Sequence, residues 1–128
     1  MENKRVLIDT SILIDYFRKE KKEKTLFYQL YEQYEIVISV ITEFEWLVGF
    51  KNENIEFGTK LIENIEILNF DSKCVLKARE IYLELKRKSK LIEIPDILIA
   101  ATSLAYNMPL VTFNLEHFER IDSLIIIK

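Results

Sequence analysis

The sequence predicts an α/β domain built on a mainly parallel sheet. Brief apolar runs rich in β-branched residues (Val6-Leu7-Ile8, Ile36-Val37-Ile38-Ser39-Val40, Leu110-Val111-Thr112) alternate with stretches of helical periodicity. No repeat, low-complexity tract or Pro/Gly-rich linker interrupts residues 1–128, which read as one domain long enough to bury a core without disulfides.

In chain order, Val6-Leu7-Ile8 reads as a buried strand ending at Asp9-Thr10-Ser11, residues suited to cap the helix expected over Ile12 to Arg18. Leu26, Phe27, Leu30, Tyr31 and Tyr34 recur at helical spacing, placing a second helix over Glu23 to Gln33. A strand follows at Ile36 to Val40. Thr42 can then cap a helix through Phe50, and another helix is expected over Asn54 to Asn64. Ile65 to Phe70 alternates as a strand does. Asp71 or Ser72 can cap the next helix, whose apolar stripe is Val75, Ala78, Ile81, Tyr82 and Leu85. Pro95 suits the first turn of a helix over Asp96 to Tyr106. Leu110 to Thr112 reads as a strand, Leu115 to Phe118 as a short helical turn, and Leu124 to Ile127 as a last strand.

Composition excludes several kinds of chemistry. Two glycines cannot build a phosphate loop or a dinucleotide-binding turn. One cysteine and one histidine cannot make an ordinary structural zinc site. His117 would have to serve any Ser-His-Asp triad alone, and no nucleophile-elbow sequence accompanies it. Carboxylates are plentiful, so carboxylate–metal chemistry is the expectation. No apolar run approaches the ~20 residues that span a membrane. The stretch from Val6 to Ile14 is broken by Asp9 and lacks a small-residue cleavage site, which argues against a signal peptide. A cytoplasmic location is expected. The net charge of −3 slightly opposes nucleic-acid binding. Two basic runs, Arg18 to Lys24 and Lys86 to Lys90, read first as solvated helix ends or loops and second as phosphate contacts.

Asp9 and Asn114 both fall just past a strand's carboxyl end, where α/β sheets gather ligand groups. Each acid also has a plainer reading: Asp9 as a helix cap, Asp96 as a first-turn acid favoured by the helix dipole, Asn114 as a turn residue.

Taken together, four segments resemble the PIN-domain family, and within it the VapC-type toxins of toxin–antitoxin pairs. They are Leu7-Ile8-Asp9-Thr10-Ser11, Ser39 through Gly49, Ile94 through Thr102, and Leu110-Val111-Thr112-Phe113-Asn114 with His117-Phe118. They stand in the family's order and span nearly the whole chain. The resemblance implies a three-layer α/β/α sandwich and hydrolysis of RNA phosphodiester bonds with Mg²⁺ or Mn²⁺. Asp9 matches the first acid, Glu45 the glutamate four residues before Gly49, and Asp96 the third acid. Asn114 replaces the fourth acid by an amide, which puts a second tightly held metal in question. Thr10, Ser11 and Thr112 match positions that hold the carboxylates or metal-bound water.

Glu43 is the alternative to Glu45, because Thr42-x-x-Glu45 also has the spacing of a capping box. Without metal, clustered carboxylates repel, and at least one is expected to have a raised pKa. Trp46, Phe44 and Phe70 read as core or interface residues before stacking platforms, Cys74 as a small buried residue, and Asp15 as turned away from the site. His117 is open between a local structural role and a contact near the site.

The function expected is that of an endoribonuclease toxin silenced by an antitoxin. The alternatives are a catalytically idle PIN-like interaction or RNA-binding module, and a phosphatase or DNA nuclease on the same scaffold. A homodimer is expected because Ile12, Leu13, Tyr16 and Phe17 exceed what one small core face needs, with the antitoxin lying over an exposed apolar groove.

Overall fold

The computed structural model describes residues 4–128. Four strands, β1 (Arg5–Ile8), β2 (Glu35–Ser39), β3 (Glu66–Leu68) and β4 (Leu110–Val111), form one sheet of order β3-β2-β1-β4. Every pairing is parallel, with Leu7 opposite both Val37 and Leu110, and Val37 opposite Glu66. Among the described residues seven helices accompany them, six between strands and the last after β4: α1 (Thr10–Arg18), α2 (Leu26–Gln33), α3 (Val40–Val48), α4 (Ile55–Ile62), α5 (Ser72–Arg87), α6 (Ile94–Ala105) and α7 (Leu115–Phe118).

Strand side chains alternate between faces, so the sheet separates two cores. Leu7, Val37, Leu68 and Leu110 face α5 and α6, where they meet Ile81, Leu85, Ile99 and Ala100. Val6, Ile8, Ile36, Ile38 and Val111 face the other way, against Ile12, Phe27, Leu30 and Trp46 of α1, α2 and α3. Helices thus cover both faces, making the expected three-layer α/β/α sandwich. From β1 the chain steps to β2 and β3 on one side, then crosses back to place β4 on the other side of β1. The carboxyl ends of β1 and β4 therefore flank the point where strand order reverses, the crevice in which such sheets bind ligands.

Several boundaries differ from the sequence expectation. Ser39, not Thr42, caps α3: its Oγ accepts from the Thr42 N–H at 3.1 Å. The capping-box reading of Thr42 and Glu45 is thereby removed. α2 begins at Leu26, because Thr25 caps it after a 3₁₀ turn at Lys22–Lys24. A second 3₁₀ turn, Asn52–Asn54, delays α4 to Ile55. The last expected strand reduces to a single parallel bridge between Ile126 and Leu110, since β4 is two residues long. Asp71 caps α5 as anticipated, accepting from the Cys74 N–H, and Cys74 is fully buried. Among the described residues no helix is long and apolar enough to cross a membrane.

Candidate active site

Asp9 is the first residue beyond β1 and caps α1. Its backbone N–H reaches the Val111 carbonyl at 3.3 Å, stitching it to the end of β4. The residue is 4% exposed. Oδ1 accepts from the Ser11 N–H at 3.1 Å and from the Ser11 hydroxyl, while Oδ2 accepts from the Thr112 hydroxyl. The Ser11 hydroxyl also accepts from the Phe113 N–H at 3.1 Å, and the Thr112 hydroxyl from the Asn114 N–H at 2.9 Å. Two short hydroxyl side chains therefore fix the carboxylate and lock the segments after β1 and β4 together.

Burial pushes the Asp9 carboxyl above the usual carboxylate range, against the lowering effect of its hydroxyl donors, and the nearby Asp96 charge pushes it further. The expected raised pKa is thus found, and burial is the larger cause.

Asp96 lies in the first turn of α6, where Pro95 needs no hydrogen-bond partner for the N–H it lacks. Its Oδ2 is 3.2 Å from Asn114 Nδ2 and 3.0 Å from His117 Nδ1, and those two nitrogens are 2.9 Å apart. One ring nitrogen cannot donate to Asp96 and accept from Asn114 at once, so the imidazole tautomer selects the bond. An ionised Asp96 favours the Nδ1–H donor. His117 is thereby a contact of the site, the one of its two open roles that spacing alone could not select. The available signal was Asn114-x-x-His117, a spacing that brings two side chains together at a helix start.

Glu45 projects from α3 with Oε1 accepting from the Thr10 hydroxyl at 2.7 Å. Thr10 is the neighbour of Asp9, so Glu45 is tied to the same mouth. Glu43 lies elsewhere: with Val40, Phe44, Leu47 and Val48 it lines a shallow depression on the outer side of α3. Residues two apart on a helix point ~200° apart, which accounts for the separation. Asp15 pairs with Lys19 at 3.4 Å.

Among the described residues no three His, Cys, Asp or Glu side chains form a ready-made metal cage. Each outer acid has its own partners instead, Thr10 for Glu45 and Asn114 with His117 for Asp96. The donor set nevertheless fits a hard cation. All its anionic candidates are oxygens, the most buried acid has a pKa raised chiefly by burial, and magnesium is satisfied by one or two carboxylates plus waters.

The first helix departs from the dimer argument made from sequence. Ile12 and Leu13 are wholly buried, and Tyr16 packs on Phe27 at 4.9 Å between ring centroids. Only Phe17, 43% exposed, remains at the surface as a large apolar side chain of the four.

In sequence and fold the chain is similar to several known proteins. Ribonuclease VapC1 of Methanocaldococcus jannaschii is 35% identical over 121 residues, covering 94% of this chain and 83% of that protein. The toxin–antitoxin complex VapBC2 of Rickettsia felis, solved with a DNA fragment from its promoter, contains a chain of the same fold. It superposes with a TM-score of 0.82 at 28% identity, covering 96% of this chain and 97% of that one. VapBC-1 of nontypeable Haemophilus influenzae gives a TM-score of 0.84 at 25% identity, covering 97% of each chain. The PIN domain profile matches residues 6–124. With a profile match over most of its length and a relative above 30% identity, the chain belongs to the PIN domain family.

Proposed function

We propose that this protein is a divalent-metal-dependent endoribonuclease, the toxin of a toxin–antitoxin pair, with Asp9, Glu45 and Asp96 as metal ligands. The observation that carries the reading is the buried Asp9 carboxylate at the strand-order reversal, held by hydroxyls and pressed by the Asp96 charge. A group so placed gains most from a cation. Its relatives' names, Ribonuclease VapC1 and Ribonuclease VapC2 of Rickettsia felis, supply the substrate class.

Mg²⁺ or Mn²⁺, when bound, supplies an activated water and stabilises charge on the scissile phosphate. The protein's residues do the rest. Ser11 and Thr112 fix both oxygens of Asp9, leaving their remaining lone pairs aimed by geometry. Thr10 orients Glu45. Asn114 acts as a positioning residue, its amide steering Asp96, and His117 Nδ1 holds a proton against the same oxygen. Glu45 rather than Glu43 completes the set because it is bonded to the residue beside Asp9.

Incubation with single-stranded RNA and Mg²⁺ tests the reading: cleavage by the wild type and none by Asp9→Asn is expected. Parallel reactions on DNA and small phosphoesters separate a ribonuclease from a DNA nuclease or phosphatase. An intact, metal-binding wild type that cuts none of them would be the idle interaction module that Asn114 and the acidic charge leave as the second reading. A cognate antitoxin, a homodimer and a cytoplasmic location complete the proposal. The complexes of relatives with antitoxins support the first. Light scattering with and without a co-expressed antitoxin tests the first two.

A further inference from the structure

Both glycines of the chain bear on one groove beside Glu45. The groove has a volume of about 460 Å³ and lies between α1, α3 and the turn after α3. Its walls are the exposed Phe17 and the half-buried Phe50, backed by Trp46, which is only 3% exposed; the three rings pack edge to face at 4.8 to 6.2 Å. Gly49 forms part of the lining, at φ −75°, a backbone that any residue adopts. A Cβ there would meet only the carbonyls of Trp46 and Glu45, at ordinary contact distance, so it would project into free space. The glycine is not required by the backbone; it leaves the groove floor bare. Gly58 serves the same feature differently. A Cβ on Gly58 would stand 2.7 Å from the Phe50 ring, so its absence lets that ring lie against α4. The Gly58 carbonyl accepts from Trp46 Nε1 at 2.9 Å, fixing the indole.

A flat floor, aromatic walls and a volume within the range of small-molecule sites describe a slot for a planar ring. Two exposed cations, Arg18 and Lys51, line the same groove and make no salt bridge with another described residue. Glu45 closes one end, and through Thr10 it connects the groove to the acidic mouth. A base lies one sugar away from its phosphate, so a nucleotide bound at that mouth has its neighbour's base within reach of the groove. We propose that this groove is a base-binding subsite, which takes one unstacked base of single-stranded RNA while Arg18 and Lys51 contact the flanking phosphates. The assignment rests on the ribonuclease reading and extends it from the reacting phosphate to the recognition of the strand.

Trp46 is the only tryptophan, so its fluorescence reports on the groove. Nucleoside 5′-monophosphates contain no phosphodiester bond between nucleotides, and their binding in Mg²⁺ is read without turnover. Saturable quenching is expected, with ribose 5-phosphate binding about tenfold more weakly because it lacks the stacking base. Gly49→Val should weaken nucleotide binding by a similar factor, with an unchanged melting temperature and Mg²⁺ response. Arg18→Ala, at an exposed position, should weaken it severalfold and reduce its salt dependence. Ribose 5-phosphate binding as well as the nucleotides, or no quenching by any of them, overturns the subsite. So does a folded Gly49→Val protein with wild-type nucleotide affinity; if that protein has lost its antitoxin instead, the groove belongs to a protein segment. A wild type that binds nucleotides as expected but cuts no RNA overturns the nuclease reading while the subsite stands.

Discussion

The two edges of the sheet handle charge in opposite ways. At the amino edge, Arg5 of β1 faces acids from both strands on one side of it: it pairs with Glu35 of β2 at 3.8 Å and with Glu66 of β3. At the carboxyl edge, Asp9, Glu45 and Asp96 meet hydroxyls, an amide and an imidazole. Among the described residues no lysine or arginine pairs with any of the three. The same sheet therefore neutralises one end internally and leaves the other short of positive charge. Structure alone would have been served by a lysine at the second end. Its omission is intelligible if the missing charge arrives from solution.

The sharpest way to break this comparison is to remove the central acid. Asp9→Asn should lower RNA cleavage by more than about 100-fold, beyond what loss of an outer-shell partner costs. Single-turnover cleavage assays at saturating Mg²⁺ check this; near-normal rates would place the chemistry elsewhere.

Next in size is the response to metal. Mn²⁺ or Mg²⁺ at 100 times its dissociation constant should stabilise the wild type by about 2.7 kcal/mol. Asp96→Asn should lose most of that gain, whereas Arg5→Ala at the opposite edge should keep it while costing up to about 1 kcal/mol of metal-free stability. Thermal melts with and without metal provide the measurement. Equal metal responses in both variants would erase the distinction between the edges.

The third test resolves the carboxyl edge internally. Glu45→Gln should abolish cleavage with the fold intact, and Glu43→Gln should retain most of it. Thr10→Val, which removes the donor to Glu45, should weaken metal affinity by about 10- to 100-fold. Titration calorimetry and cleavage assays on the three variants decide it, and a reversed order of the two glutamates would move the ligand to the outer side of α3.

A smaller effect follows from the Asp9 carboxyl, whose folded pKa is raised, chiefly by burial. Above its unfolded value the folded state holds more protons than the unfolded one, so stability is lost as pH rises through the folded pKa. The metal-free wild type should therefore be more stable, with respect to this group, at pH values below the ordinary carboxylate range. Asp9→Asn should flatten that part of the pH–stability curve, and Mg²⁺ should do the same to the wild type. Denaturant melts across acidic to neutral pH would expose a failure as parallel curves for the two proteins.

The smallest expected change is at Asn114. Asn114→Asp replaces a donor to Asp96 by another negative charge, so it should tighten divalent binding severalfold while lowering metal-free stability. Identical affinity and stoichiometry in calorimetry would put this side chain outside the metal's reach.

How much of this was legible beforehand varied with how local the cause was. Val6-Leu7-Ile8 and the helix behind Pro95 were readable because burial on two faces and a proline in the first turn leave local signatures. Val40 was not, since its β-branched side chain suits a strand, yet it opens α3. Strand β3 ends at Leu68 opposite Ser39, so the ladder stops there and Ser39 turns the chain into α3. Leu124 to Ile127 looked like a strand for the same apolar reason, yet β4 offers only two residues to pair with. In the site, Asp9 was legible from its place after a strand. The contact of His117 with Asp96 spans 21 positions and depends on how α7 packs beside α6, which no local pattern encodes. The burial of Ile12 and Leu13 was misread as surplus surface because the depth of the second core was invisible from α1 alone.

The bond from Thr112 to Asp9 joins residues 103 positions apart. On a translating ribosome, at about 5–20 residues per second, roughly 5–20 s separate the synthesis of one from that of the other. Through that interval the nascent chain already carries its first acid but lacks Thr112, which fixes one of its oxygens, and β4, whose end forms the other side of the crevice. A site assembled this way cannot be complete while the chain is half made. The long closure in sequence works as a delay between the making of the first acid and the completion of its crevice.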